Sequence, residues 1–295
     1  MAINFSKKEI EKAYRLGCGT LFPIKSGNII KKFIRFLFLK FFKFKCELFN
    51  LKQTFKFKTE KKNPTKKKSF VIFFSGLSTV NENLEKNIND LQENGYTFIN
   101  NFLNSEAHKN LNDDFPKFST FHHTKDILKQ FFICFKYNKL ENNEIVNLKY
   151  YPTYKILFDY IFSDELENNF SQLVNTKTKA YSFLCSYRKE KSYLIPHMDG
   201  ILKKSKNFHN FNFVYFIDGN NKFPKYSSGT GIFFDNEFKK PILQPSNLTN
   251  SCLIYKTSGS NKNFYHGFDT VKTFGFGKVV TFQFLSESFY NSLIN

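Results

Sequence analysis

A series of short apolar runs in the C-terminal part of the chain constrains the fold more than any other feature. The runs are rich in Phe, Val, Ile and Tyr, and they are separated by turn residues such as Asp218-Gly219 and the segment Ser258-Gly-Ser-Asn261. Apolar runs of this length bounded by turn residues are typical of β-strands. They lie at residues 192–195, 212–217, 232–234, 251–256, 264–267 and 278–284. We therefore predict a jelly roll built from short strands.

Two histidines and one aspartate lie at the edges of these predicted strands. His197 and Asp199 are two residues apart, so on an extended strand their side chains project from the same face. His266 lies on a distant predicted strand. Two imidazoles and one carboxylate on one side of a metal leave the opposite coordination positions open, as in non-haem Fe(II) oxygenases. A surface turn is the alternative interpretation of the His-x-Asp motif.

The segments around these residues resemble the Fe(II)/2-oxoglutarate-dependent oxygenases, and within them the prolyl-4-hydroxylase-like branch. The resemblance rests on residues 187–200, 213–217 and 265–268 and on Gly229-Thr-Gly231. It extends to residues 91–106, which are similar to the helix, glycine, short strand and second helix that often open this branch. Leu84, Ile88 and Leu91 follow a helical spacing, and Gly95 stands where a C-terminal cap is expected.

The resemblance implies an α+β, mainly β fold, a distorted double-stranded β-helix of the jelly-roll or cupin kind with buttressing helices. It implies that His197, Asp199 and His266 bind Fe(II) and that 2-oxoglutarate is the co-substrate, with ascorbate as a candidate accessory reductant. The far carboxylate of 2-oxoglutarate then needs a buried cation. Lys278, at the start of the last predicted strand, is the expected anchor, Lys272 is its competitor, and Tyr187 is a candidate hydroxyl donor to the same carboxylate.

The implied reaction is hydroxylation of an unactivated C–H bond, with 2-oxoglutarate and O2 converted to succinate and CO2. Halogenating relatives lack the carboxylate that Asp199 supplies, so its presence favours hydroxylation or desaturation, and we expect hydroxylation. Two alternatives remain: a non-oxygenase cupin-type metal enzyme, and a catalytically inactive protein that binds a membrane surface. Arg188 could bind an anionic substrate, but we expect a surface role for it.

The net charge of +19 would ordinarily indicate nucleic acid or an anionic membrane as the partner. The chain is rich in Lys, Phe and Asn and has only three arginines, a bias that an AT-rich genome explains. We therefore consider nucleic acid an unlikely partner, and we favour a small molecule or a glycan precursor over a protein as the substrate. The oligomeric state stays open.

Residues 1–68 are expected to form a basic, Phe- and Lys-rich extension, and residues 69–295 the oxygenase domain. Within the extension, residues 29–49 predict a basic amphipathic helix whose longest uncharged stretch is too short to cross a bilayer. This helix either lies on an anionic membrane surface or packs its Phe face against the catalytic domain, which we favour. The alternation at residues 55–58 predicts a strand, and residues 60–68 predict a linker.

The five cysteines, Cys18, Cys46, Cys134, Cys185 and Cys252, lack CxxC spacing. They indicate buried thiols in a reducing compartment. The first residues are too polar for a signal peptide, so we expect a cytoplasmic protein.

Overall fold

The structure is a computed structural model that describes residues 29–59, 69–77, 83–124, 129–139, 148–189, 192–197, 210–219, 232–234, 241–243, 248–256, 265–268 and 277–294. These ranges contain six α-helices: α1 Ile29–Thr59, α2 Leu84–Glu93, α3 Ser105–Asp113, α4 Pro152–Ile161, α5 Asp164–Leu173 and α6 Glu287–Ile294. The first strands are β1 Tyr96–Asn100, β2 His122–His123, β3 Lys129–Gln130, β4 Phe132–Asn138, β5 Thr178–Arg188 and β6 Tyr193–His197. They are followed by β7 Asn210–Asp218, β8 Ile232–Phe234, β9 Pro241–Leu243, β10 Ser251–Lys256, β11 Tyr265–Phe268 and β12 Gly277–Ser286.

The strands form two antiparallel sheets. The larger sheet has seven strands in the order β1-β10-β7-β12-β5-β4-β2, and the smaller has five in the order β3-β6-β11-β8-β9. From β5 to β12 the chain passes repeatedly from one sheet to the other, so that β5, β7, β10 and β12 form the centre of one layer and β6, β8, β9 and β11 most of the second. This is a double-stranded β-helix, and the predicted fold class is confirmed.

One face of the seven-stranded sheet packs against α3, α4 and α5. Its core is dominated by phenylalanine rings: Phe213 stacks on Phe282 with centroids 4.6 Å apart, and Phe170 of α5 contacts Phe284 at 5.0 Å. Phe282 and Phe284 alternate along β12, which places both on this face. Each fully buried ring of this kind stabilises the fold by about 2 kcal/mol. The helix-facing side of the sheet is therefore the main core.

The other face of the same sheet carries a smaller apolar cluster made of Val214, Phe216, Leu248, Leu253, Tyr255 and Val279. Leu243, on β9 of the five-stranded sheet, packs against this cluster. The cluster therefore lies between the two sheets, and we call this side of the seven-stranded sheet the inner face.

All six strands predicted in the C-terminal part of the chain are present, and their bounds differ from the prediction by a few residues at most. The predicted helix, glycine, strand and helix are also confirmed as α2, Gly95, β1 and α3. Gly95 has a φ of 79°, which fits the left-handed residue that commonly follows a helix. The strand predicted at residues 55–58 is wrong, because α1 continues through them to Thr59. An alternation of four residues is too short to outweigh the helix that precedes it.

The expectation that the Phe face of the N-terminal helix packs on the catalytic domain is wrong for most of its length. Cys46 and Gln53 of α1 are buried, and Phe49 contacts Phe118 and Phe132. Most of the apolar side chains described on this helix are exposed instead. No helix in the described part of the chain is long and apolar enough to cross a membrane.

Four of the cysteines, Cys46, Cys134, Cys185 and Cys252, are free and buried, as the sequence predicts. Burial raises the pKa of the Cys134 thiol, so this side chain stays protonated at neutral pH. Cys18 and the linker predicted at residues 60–68 lie outside the described residues. The boundary predicted at residue 68 stays a prediction.

Candidate active site

The two predicted histidine ligands meet on neighbouring strands. β6 ends at His197, β11 contains His266, and the register of these two strands pairs the two residues directly. Residues directly opposite each other in an antiparallel pair lie on the same face of the sheet, with Cβ atoms about 5 Å apart. The backbone thus brings together two histidines that are distant in sequence. Asp199 follows His197 by two residues and lies outside the described residues.

The donor set fits a ferrous ion. Two imidazoles and a carboxylate are the ligands that non-haem Fe(II) oxygenases use, and they leave positions open for other ligands. The observed register meets the geometric requirement that the two histidines share one face of one sheet. The assignment of His197, Asp199 and His266 as metal ligands stays a prediction.

Lys278 and Tyr187 are also brought together, but on the helix-facing side of the seven-stranded sheet. They are directly paired on β12 and β5. The Lys278 ammonium donates to the side-chain Oδ1 of Asn112 at 2.5 Å and lies 5.2 Å from the centre of the Phe115 ring. The Tyr187 ring contacts Phe115, with centroids 5.8 Å apart. Both side chains therefore point toward α3 and the segment that follows it.

Burial raises the pKa of the Tyr187 phenol, and the negative charge of Asp218 raises it further. Tyr187 therefore keeps its proton at neutral pH and can donate a hydrogen bond. Its neighbours on the sheet are Lys278 on one side and Phe132 on the other. The role of Tyr187 and Lys278 in binding 2-oxoglutarate stays a prediction.

Arg188 lies on the inner face, one residue after Tyr187 and on the opposite side of β5. Only 6% of its surface is exposed, so the expected surface role is wrong. Its guanidinium lies 5.5 Å from the centre of the Phe216 ring, a member of the inner apolar cluster. Burial lowers the pKa of Arg188 to about 9, and the neighbouring Tyr255 acts in the opposite direction. A buried cation of this kind is stabilised by an anion placed beside it.

Gly277 lies beside the aliphatic part of Arg188. The two residues are paired across β12 and β5, and a Cβ atom at position 277 would lie 3.4 Å from Cβ and 3.5 Å from Cδ of Arg188. These are ordinary van der Waals distances, so one methyl group fits. A side chain that branches at Cβ would need the space of the Arg188 methylene groups. Gly277 is thus the direct cross-strand neighbour of Arg188.

The sequence did not indicate the burial of Arg188, because a shift of one residue in strand register moves a side chain to the other face of the sheet. Tyr187 and Arg188 are adjacent, so on a strand they face opposite sides, and the sequence does not say which side is the inner one. Two features of the sequence could have indicated that Arg188 is buried. Arg188 is one of only three arginines, and a glycine opens the last strand opposite to it.

The other described histidines have structural contacts. His108 on α3 forms a 2.8 Å hydrogen bond with the carbonyl oxygen of Ile217. His123 on β2 donates from Nδ1 to the carbonyl oxygen of Thr124 at 2.6 Å. Burial lowers the pKa of His123, and the charges of Lys189 and Lys45 lower it further, so this side chain is neutral at pH 7. The rings of His108 and His123 are therefore held by backbone carbonyl oxygens.

No protein-family model matches the sequence, and no curated protein matches it either. The structure, in contrast, is similar to solved oxygenase structures. A prolyl hydroxylase from Trichoplax adhaerens, in complex with a hypoxia inducible factor peptide fragment, aligns over 75% of this chain and 99% of its own, with 13% identity and a TM-score of 0.50. A 2OG-Fe(II) oxygenase family oxidoreductase from Burkholderia pseudomallei aligns over 68% of this chain and 90% of its own, with 11% identity and a TM-score of 0.50.

At these identities the similarity is one of fold. The chain has the fold of prolyl hydroxylases and of other 2OG-Fe(II) oxygenases, and the resemblance found in the sequence is confirmed at that level.

Proposed function

We propose that this chain is an Fe(II)- and 2-oxoglutarate-dependent dioxygenase that hydroxylates a C–H bond of its substrate. The observation that carries the proposal is the direct pairing of His197 with His266 on β6 and β11, within a fold shared with oxygenases. Asp199, two residues beyond His197, completes the proposed ligand set. When bound, iron with 2-oxoglutarate and O2 supplies the oxidation of the substrate and the formation of succinate and CO2.

The residues of this chain bind and orient the reactants. His197, Asp199 and His266 hold the metal from one side and leave the other side to the co-substrate and O2. The preference for hydroxylation over halogenation rests on Asp199, whose carboxylate would hold one coordination position of the iron. The preference for a small-molecule or glycan-precursor substrate stays a prediction, as do ascorbate as a reductant and the cytoplasmic location.

We propose Arg188 as the group that binds the far carboxylate of 2-oxoglutarate. It is a cation on the inner face, and it is buried beside Phe216. An arginine can bind a carboxylate through two parallel hydrogen bonds, and low polarity around the pair strengthens them. Lys278, the anchor predicted from the sequence, donates to Asn112 on the opposite side of the sheet. The geometry therefore favours Arg188 over Lys278.

The proposal is tested by the formation of succinate from 2-oxoglutarate with Fe(II) and O2, first without any substrate. We expect slow succinate formation by the wild-type chain and a loss of at least about a hundredfold in His197→Ala and His266→Ala, because each removes one of three ligands. His122→Ala is the matched control, since His122 lies on the edge strand β2 and is not a proposed ligand. Succinate formation that is equal in all three variants would contradict the metal site.

A further inference from the structure

Helix α1 carries a continuous stripe of exposed apolar side chains. Ile29, Phe33, Phe36, Leu37, Phe41, Phe44, Leu48, Leu51 and Phe55 are each 49–80% exposed. They account for nine of the twelve large apolar side chains that are strongly exposed in the described part of the chain. Most follow one another at intervals of three or four residues, which places them on one side of a helix. An exposed apolar surface of this extent marks a site of interaction.

The contacts of α1 with the rest of the protein fix the direction in which this stripe faces. Asn50 donates from Nδ2 to the carbonyl oxygen of His123 at 3.2 Å and accepts from the His123 amide at 2.7 Å. Cys46 Sγ lies 3.4 Å from Nδ1 of the same histidine, and Gln53 is buried. At about 100° per residue, Cys46, Asn50 and Gln53 lie on the side of the helix opposite to the exposed stripe. The stripe thus faces away from the catalytic domain.

Lysines accompany the stripe on both sides. Lys45, Lys52 and Lys56 lie along one margin, Lys43 lies along the other, and Lys40 lies within the stripe, with its ammonium 5.5 Å from the centre of the Phe36 ring. All five are exposed. Glu47 is the only acidic residue among residues 29–59. A long lysine side chain can extend past an apolar surface and keep its ammonium group in water. Apolar side chains bordered by lysines suit a surface that is apolar inside and anionic outside.

We infer that α1 binds the surface of a bilayer that contains anionic phospholipids, with its axis parallel to the membrane plane. The phenylalanine and leucine side chains enter the boundary of the acyl chains, and the lysines contact the anionic headgroups. A second copy of the chain fits this surface less well, because pairing two such helices would bring their lysine margins together with almost no acidic residues to compensate. The catalytic domain, bound to the opposite side of α1, then faces the solvent.

The test is co-flotation of the purified full chain with vesicles of phosphatidylcholine, with and without phosphatidylserine. We expect at least about tenfold stronger binding to the vesicles that contain phosphatidylserine, and a loss of this preference in Lys45→Gln/Lys52→Gln or at high salt. The triple variant Phe41→Gln/Phe44→Gln/Leu48→Gln should bind at least about tenfold more weakly than the wild type. The matched control is Val71→Gln/Phe73→Gln/Ile294→Gln, which removes three exposed apolar side chains outside α1 and should bind like the wild type.

The inference is wrong if the wild-type chain binds equally to vesicles with and without phosphatidylserine at low salt. It is also wrong if the triple variant on α1 binds the vesicles as well as the control variant does. It is equally wrong if the wild-type chain forms a dimer without lipid and the same triple variant dissociates that dimer. Lys45→Gln/Lys52→Gln replaces only exposed side chains and so tests the inference even if the triple variant fails to fold.

Discussion

At the scale of single residues, the site depends on which side of a strand each cation faces. Arg188 and Lys278 lie close together in the sheet, yet one is buried on the inner face and the other donates to Asn112 on the helix-facing side. We propose Arg188 as the carboxylate anchor because a cation on the helix-facing side is separated from the inner face by the sheet itself. Burial lowers the pKa of Arg188 to about 9 because the charged guanidinium is poorly solvated there, and a bound carboxylate would stabilise the charged form.

Position 277 offers a test of this assignment that leaves Arg188 in the chain. Gly277→Ala should bind 2-oxoglutarate like the wild type, because a Cβ atom fits beside Arg188 at 3.4–3.5 Å. Gly277→Val should bind it about tenfold or more weakly, because its branched side chain displaces the guanidinium. Titration of each variant with 2-oxoglutarate by calorimetry measures the difference. Equal affinities in the two variants would exclude Arg188 as the anchor.

At the scale of secondary-structure elements, the sequence predicts the strands of the β-helix well. The turn residues that separate the runs, and the β-branched and aromatic side chains within them, are local signals that need no tertiary information. The pairing of β6 with β11, the face on which Arg188 lies and the exposure of α1 depend on contacts between distant segments. Residues 55–58 show the limit of a local pattern, since the alternation of Phe and Lys occurs there within a helix.

The connection between β1 and α3 depends on one asparagine. Asn250 has a φ of 51°, accepts from the amide of Leu103 at 3.1 Å and donates to its carbonyl oxygen at 2.9 Å. We expect Asn250→Ala to lower the free energy of unfolding by about 3–5 kcal/mol, because two buried backbone groups lose their partners. Asn250→Gly should cost about 1 kcal/mol less, because glycine adopts a positive φ without strain.

Urea unfolding of both variants measures these losses. Asn175→Ala is the control for the backbone alone: Asn175 has a φ of 49°, and we expect a loss of only about 1 kcal/mol there. A loss at Asn250 no larger than the loss at Asn175 would show that the two hydrogen bonds to Leu103 contribute little.

At the scale of the whole molecule, the protein combines a β-helix of the kind found in oxygenases with an exposed amphipathic helix. The β-helix brings His197 and His266 to one point of the smaller sheet, while α1 contacts His123 on the edge strand β2 of the larger sheet and Phe132 on the neighbouring β4. The two functions proposed for the chain therefore rest on different elements and can be lost separately. Variants of the apolar stripe on α1 should keep succinate formation, and variants of the metal ligands should keep membrane binding.

The central claim is that one ferrous ion, held by His197 and His266, binds 2-oxoglutarate. The most direct measurement is anaerobic titration of the full chain with Fe(II) and 2-oxoglutarate, followed by the visible charge-transfer absorption that appears when a 2-oxo acid chelates ferrous iron. We predict that the absorption saturates at one iron per chain and is absent in His266→Ala. An absorption that never forms in the wild-type chain, or that persists undiminished in His266→Ala, would contradict the account.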